Sequence, residues 1–385
     1  MFKHDQVQMK KQNRKIVLDR IRNHEPISRI QLAKITKMSP TTITRIVQEL
    51  IEEDYIIEAM SEETAIGRRP TLINVNPEAR YSIGVEIDRS KLRIGLLNFI
   101  CELVDFVEIP LMRSESYELI IENLVLEIQK LILNNQISQE RLLGIGIGIP
   151  GRIDQERGIV IISEQFNWKN KHVRDDLAQH FQCTIAIDNE LKMQIFAESG
   201  KIYKPIQRNS ILIGVGSGIG AAIILNGEIY RGIKNNAGEI SHLTINPFGE
   251  QCSCGNRGCL SNYTRETTLQ QFIPEAQRSE YNTLEKIVEG IHANEEWSIP
   301  LIDHIATYLA ITINNLICIY EPDEVIVTGE ALEKNIKIQN VVLDKCEKHI
   351  WREIGTEIQI KFSELNETGV VKGAAMFVQK VEMEI

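Results

Sequence analysis

One histidine and three cysteines stand close together in the stretch GEISHLTINPFGEQCSCGNRGC, which runs from Gly238 to Cys259. They are His242, Cys252, Cys254 and Cys259. A neutral imidazole with three thiolates suits a tetrahedral Zn2+ that keeps no open position. Glycine and asparagine between them suit a backbone that must wrap tightly around an ion. The alternative is a set of unrelated buried thiols, but three cysteines within eight residues favour the metal. The expectation is one structural zinc per chain.

Length and composition set the frame for that site. A chain of 385 residues with 25% charged and 43% hydrophobic residues reads as a soluble globular protein of two or three domains. Seven cysteines are an odd number with three clustered at metal spacing, which fits a reducing compartment better than a disulfide framework. No N-terminal stretch resembles a signal peptide, and no uninterrupted apolar run of membrane-spanning length stands out. A cytoplasmic location with no membrane partner is expected. The net charge of −10 is unevenly spread. Met1 to Arg45 holds 11 Lys+Arg against 3 Asp+Glu, a local +8, which leaves −18 on the rest. Such asymmetry indicates a basic module on an acidic body.

The basic module explains itself by pattern. Ile16, Val17 and Ile21 among basic residues predict an amphipathic helix over Asn13 to Asn23, ended by Pro26. Ser28 caps a second helix that reaches Thr36. Ser39 then caps a third, with Pro40 at its first position. In this third helix Ile43, Ile46, Val47, Leu50 and Ile51 form one buried face. Thr41, Thr42, Thr44, Arg45 and Gln48 occupy the opposite side near its start. Two short helices joined by a tight turn, the second polar at its beginning, describe a helix-turn-helix. Tyr55 to Ala59 and Thr71 to Val75 read as strands flanking a loop that ends in Gly67-Arg68-Arg69-Pro70. Adjacent arginines on such a wing suit a phosphate backbone or a narrow minor groove. Ser39, Thr41, Thr42, Thr44, Arg45, Gln48, Arg68 and Arg69 are therefore the candidate contacts to duplex DNA. A bundle that only dimerises is the alternative.

From Tyr81 the pattern changes. YSIGVEID, RIGLLNF and LVDFVEIPL read as three strands, Tyr117 to Leu133 as a helix, and LLGIGIGIP as a further strand. A second copy of this grammar starts near Ser210 with ILIGVGSGIGAAIILNGEIY. Two such halves imply duplicated α/β lobes around a ligand cleft. At this point specific motifs accumulate: Gly216-Ser217-Gly218-Ile219-Gly220, Glu239-Ile240-Ser241-His242, Cys252-Ser253-Cys254-Gly255, Gly258-Cys259-Leu260, and Pro322-Asp323 before VIVTG. With these the chain resembles the ROK family (repressors, open reading frames and kinases) over nearly all its length. The winged helix in front is similar to the regulator branch, which includes xylose-repressor and NagC-like members. The resemblance implies an α/β chain with an N-terminal winged helix-turn-helix and a two-lobe actin-like, hexokinase-type ATPase fold. The division it suggests is 1–77 for the DNA-binding head, 78–190 with 365–385 for the small lobe, and 191–364 for the large lobe with the zinc motif.

The resemblance also implies a sugar site at Asn189, Glu190, Glu239 and His242, with His242 serving metal and sugar through its two ring nitrogens. A zinc knuckle that only shapes its loop is the alternative. Three positions depart from the family pattern. Ser241 stands for Gly, Gln165 lies near a usual Asn, and Ser261 takes the place of a sugar-binding Glu. The phosphate elements depart as well. Glu86-Ile87-Asp88-Arg89-Ser90 lacks the glycines of the first phosphate loop, Glu330 follows Gly329 where kinases have Gly, and Glu190 replaces the catalytic Asp. Gly216 to Gly220 keeps the second loop. The expectation is a sugar-responsive repressor of a carbohydrate operon, a homodimer or homotetramer on operator DNA, and not an enzyme. A sugar kinase with a DNA-binding arm, or a regulator answering to a protein partner, are the competing expectations.

Overall fold

The computed structural model describes residues 2–60, 71–112, 114–200, 208–216, 218–333, 335–351, 353 and 357–384. The head comprises α1 (Phe2–His24), β1 (Ile27–Ser28), α2 (Arg29–Thr36), α3 (Pro40–Glu52), β2 (Ile56–Met60) and β3 (Thr71–Val75). Ser28 closes a capping box with Gln31, and the Ser39 side chain accepts the N–H of Thr42 with Pro40 in the first turn. Ile43, Ile46, Val47 and Leu50 are buried, whereas Ile51, next to the last residue of the helix, is only half-buried. The three strands form one sheet in the order β1-β3-β2. The first helix begins at Phe2, well before the expected Asn13. Ahead of Asn13, Met9 is exposed and Lys10 reaches Glu49 of α3 at 3.1 Å.

The body repeats one topology twice. In the first half β4 (Tyr81–Ile87), β5 (Lys91–Asn98) and β6 (Leu103–Pro110) form an antiparallel meander. After α4 (Tyr117–Asn134), β7 (Leu142–Ile149) pairs parallel with β4. A small sheet, β8 (Arg152–Asp154), β9 (Ile159–Ser163) and β10 (Trp168–Lys171), and α5 (Val173–Ala178) then lead to β11 (Thr184–Asn189), parallel to β7, and to α6 (Glu190–Glu198). In the second half β12 (Ser210–Val215), β13 (Ile219–Leu225) and β14 (Glu228–Ile229) form the meander. Short helices α7 (Ser261–Thr264) and α8 (Glu266–Leu269), then α9 (Leu284–His292) and α10 (Ser298–Tyr320), precede β15 (Glu324–Thr328), which pairs parallel with β12. Then α11 (Glu330–Glu333) and α12 (Ile336–His349) lead to β16 (Gln359–Phe362), parallel to β15, and the chain closes with α13 (Gly369–Glu384). The orders β11-β7-β4-β5-β6 and β16-β15-β12-β13-β14 are the same arrangement.

Alternation in LLGIGIGIP gives β7 two different faces. Ile145, Ile147 and Ile149 are fully buried in the core that α4 covers. The glycines face α13: a Cβ on Gly146 would lie 1.9 Å from the carbonyl oxygen of Ala374, and one on Gly84 would lie 1.8 Å from that of Val371. Close approach of helix to sheet therefore requires glycine at both sites. The second lobe is centred on α10. Among the described residues it is the one helix long and apolar enough to cross a membrane by length and composition. No uninterrupted apolar run marks it in the sequence because Asp303, His304, Asn314 and Asn315 break it. Its Leu301, Leu309, Ile313 and Ile317 are buried in the lobe core, and Asp303 pairs with Lys345 of α12 at 2.6 Å.

Candidate functional site

The chain reverses twice between Leu243 and Leu260 to bring the metal-type ligands together. Thr244 bridges Cys259, Gln251 bridges Arg257, and the Cys252 N–H donates to the Asn256 carbonyl at 2.7 Å. Gly258 makes the inner reversal possible. Its φ is +65°, and a Cβ there would meet the Asn246 carbonyl oxygen at 1.6 Å. The ligand atoms of His242, Cys252, Cys254 and Cys259 all lie within 4.8 Å of one another. Cys254 Sγ is 3.6 Å from Cys259 Sγ, and Cys252 Sγ is 3.8 Å from His242 Nδ1. A tetrahedron with Zn–S bonds of about 2.3 Å has sulfur–sulfur edges of about 3.8 Å, so the quartet fits such an ion. The N–H of Cys254 and then the hydroxyl of Ser261 pull the Cys252 thiol down, while burial pushes Cys259 up. Three thiols packed this closely all ionise only with a cation to balance them, and the donor set is one that could hold it. Ser261, which stands where the family resemblance implies a carboxylate, has its hydroxyl 3.5 Å from Cys252 Sγ. It thus serves the sulfur cluster.

The same turn presents the candidate sugar residues. Glu239 precedes a single 3-10 turn, Ile240–His242, so Glu239 and His242 are one turn apart, and both are exposed. Of the other two candidates, Asn189 ends β11 and caps α6, accepting the Leu191 N–H through its side-chain oxygen. Its amide donates to Glu190 Oε2 at 2.6 Å. Burial, followed by the neighbouring carboxylates Glu86, Asp88 and Glu239, pushes Glu190 up to about 8. Between pH 4.5 and about 8 the folded chain therefore holds a proton that the unfolded chain has released, and stability falls as pH rises through that window. A melting-temperature series over that range is expected to slope downward in the wild type and less so in Glu190→Gln; equal slopes would remove Glu190 as the source.

The β4–β5 turn carries Asp88, Arg89 and Ser90. It is a tight reversal, with the Asp88 N–H donating to the Lys91 carbonyl at 2.9 Å, and Arg89 points to Glu266 of α8 at 4.0 Å. On the other lobe a Cβ on Gly216 or Gly218 would meet nothing within 4 Å. Packing does not require glycine there. Ser217 lies outside the described residues.

On the head, Thr41, Thr44, Arg45 and Gln48 are exposed along the start of α3. Ser39 is exposed too, but its hydroxyl is taken by the Thr42 N–H at 3.1 Å, and Thr42 is half-buried. Arg45 rests on Glu49 at 3.2 Å and Gln48 on Glu52 at 3.1 Å. Arg68 and Arg69 lie outside the described residues. Sequence reasoning passed over the polar contacts that join the lobes, Asp188 to Arg231 and Asn235 among them. Their one signal was adjacency: Asp188 precedes Asn189, and the Arg231–Asn235 loop runs into Gly238.

Comparison with known proteins follows the same division. Residues 82–381 match the model of the ROK family. The chain belongs to the ROK family. Residues 11–57 match a second family, winged helix-turn-helix DNA-binding. Among relatives of this ROK chain, the xylose repressor of Bacillus subtilis (strain 168) is 26% identical over 376 residues, 97% of this chain and 96% of that one. A solved ROK family transcriptional regulator, a homologue of the E. coli MLC protein, superposes with a TM-score of 0.80 at 24% identity over 97% of both chains. The ROK hexokinase of Thermus thermophilus superposes at 0.61 and 21% identity, over 77% of this chain and 97% of its own. The ROK body thus has the two-lobe, actin-like fold of hexokinases, with a winged helix in front of it.

Proposed function

We propose that this ROK chain is a DNA-binding transcriptional repressor of a sugar-utilisation operon. In this reading Asn189, Glu190, Glu239 and His242 hold a sugar or sugar derivative between the lobes, and the bound sugar changes operator affinity. The observation that carries the proposal is end-to-end similarity to a xylose repressor, head included, where a kinase would match the body alone. D-xylose is the first effector to test. His242, Cys252, Cys254 and Cys259 hold one Zn2+, with His242 Nδ1 on the metal side. That leaves its Nε2–H to donate to a sugar hydroxyl. The domains divide at 1–77, 78–190 with 365–385, and 191–364. Two copies or four, in the cytoplasm, would set paired α3 helices on half-sites ~34 Å or a multiple apart.

The test is a gel shift on the chain's own upstream DNA, with and without D-xylose and N-acetylglucosamine. A specific complex whose midpoint moves with one sugar supports the proposal; no specific complex overturns it. In the same assay Arg68→Ala with Arg69→Ala is expected to weaken binding and to flatten the log–log salt slope by about 2. An unchanged slope would take the wing out of the interface.

The open Gly216 and Gly218 favour one rival, a kinase carrying a DNA-binding arm. Against it stand a first loop with no glycine and with Asp88 where phosphates would approach. Phosphoryl transfer depends on positioning and charge stabilisation, and both suffer there. No ATP turnover above background is expected across a sugar panel, and clear phosphorylation would establish the rival.

A further inference from the structure

The two halves of the cleft are contributed by different lobes, so something must keep them in register. A polar cluster does so beneath the site. Asp188 is fully buried, and its Oδ1 accepts the backbone N–H of Asn189 at 2.8 Å and the side-chain amide of Asn235 at 2.9 Å. Its Oδ2 accepts Arg231 Nη2 at 2.6 Å. Arg231 Nε donates to Gln155 Oε1 at 2.9 Å, and Asn235 also donates to the Ile153 carbonyl at 2.9 Å. Lys192, buried on α6, donates to the backbone carbonyl and side-chain oxygen of Asn235 at 2.6 and 2.8 Å. The segment from Arg231 to Asn235 belongs to the second lobe and continues straight into Glu239 and His242. Its partners Asp188 and Gln155 belong to the first lobe, and Asp188 is bonded to the backbone of Asn189.

We infer that Arg231 and Asn235 are positioning residues: through Asp188 they register Asn189–Glu190 against Glu239–His242 across the cleft. This rests on the sugar-binding reading above. A buried carboxylate with three donors is over-determined, and removing its arginine breaks its 2.6 Å ion pair and leaves the Lys192 ammonium as the remaining cation that stabilises its charge. Asp188 would then draw water or shift, and Asn189 would move with it because the two are bonded through the main chain.

The test is amide hydrogen exchange on the full chain, comparing wild type with Arg231→Met, Arg231→Lys and Asn235→Ala. Without sugar, Arg231→Met is expected to speed exchange at least about tenfold both in 230–242 and across the cleft in 151–155 and 186–190, with Arg231→Lys restoring most of the protection. Acceleration confined to 230–238 would overturn the inference and leave Arg231 as a local loop anchor. In a second arm, half-maximal protection by D-xylose in Arg231→Met is expected to need at least about tenfold more sugar than in wild type, with full protection still reached; an unmoved midpoint also overturns it. If D-xylose protects nothing in wild type, the xylose reading fails while the sugar-free comparison still decides the positioning role. Should Arg231→Met not fold, Asn235→Ala, which leaves Asp188 its arginine, gives the same comparison.

Discussion

Cys254→Ser is expected to reduce the metal content from one ion per chain to near zero and to lower the melting temperature. The position is chosen because Cys254 is exposed, whereas Cys252 and Cys259 are buried. Serine is close in size, so in a knuckle without metal the change should stay within about 0.5 kcal/mol, as for an ordinary surface substitution. With an ion present the same change removes one of four ligands from a site whose metal contributes on the order of 10–16 kcal/mol to the folding of small zinc modules. The two outcomes are far apart. Elemental analysis and melting curves with and without chelator read them directly. The loss should also abolish any sugar response, because the ring of His242 would no longer be held by its Nδ1. Wild-type protein without zinc, or melting curves that coincide, would reduce the cluster to packed thiols.

Much of this was open to inspection in the sequence because it rests on local rules. Ser28 and Ser39 cap helices through contacts three residues away, Pro40 opens the first turn of α3, and the stripe Ile43, Ile46, Val47, Leu50 repeats at helical period. The cysteine cluster is compact in sequence and in space. What stayed hidden is what joins distant segments. Asp188 and Arg231 are 43 residues apart, and no periodicity pairs them. Ser261 reads as a lost carboxylate until its hydroxyl is seen beside Cys252. Met9 to Gln12 of α1 are exposed and mostly polar, so hydrophobic pattern does not carry the helix back through them. The glycines of β4 and β7 stand inside segments that read as strands, and the reason for glycine there is the carbonyls of α13, more than 200 residues away.

Phe99→Ala is expected to destabilise the chain by about 3–5 kcal/mol and to separate the unfolding of head and body. Phe99 sits in the turn between β5 and β6 and is fully buried, yet its neighbours belong to the head. The Arg22 guanidinium lies 3.8 Å from its ring centroid, the Tyr55 ring is 5.3 Å away, and Arg80 covers Tyr55 at 4.3 Å. One core unites Val17, Ile21, Ile46, Leu50 and Val75 of the head with Ala79, Phe99 and Leu143 of the first lobe. The head is therefore seated on that lobe by side chains packed as in a domain interior, and a rotation of the lobe carries α3 with it. Because dense packing does not deform continuously, a shift at the cleft can reach the DNA surface as a rigid movement. Urea unfolding followed by head-specific and body-specific probes tests the joint. Coincident transitions in wild type that split in Phe99→Ala support it, and an unfolding curve that stays single with little loss of stability would mean that head and body are coupled elsewhere.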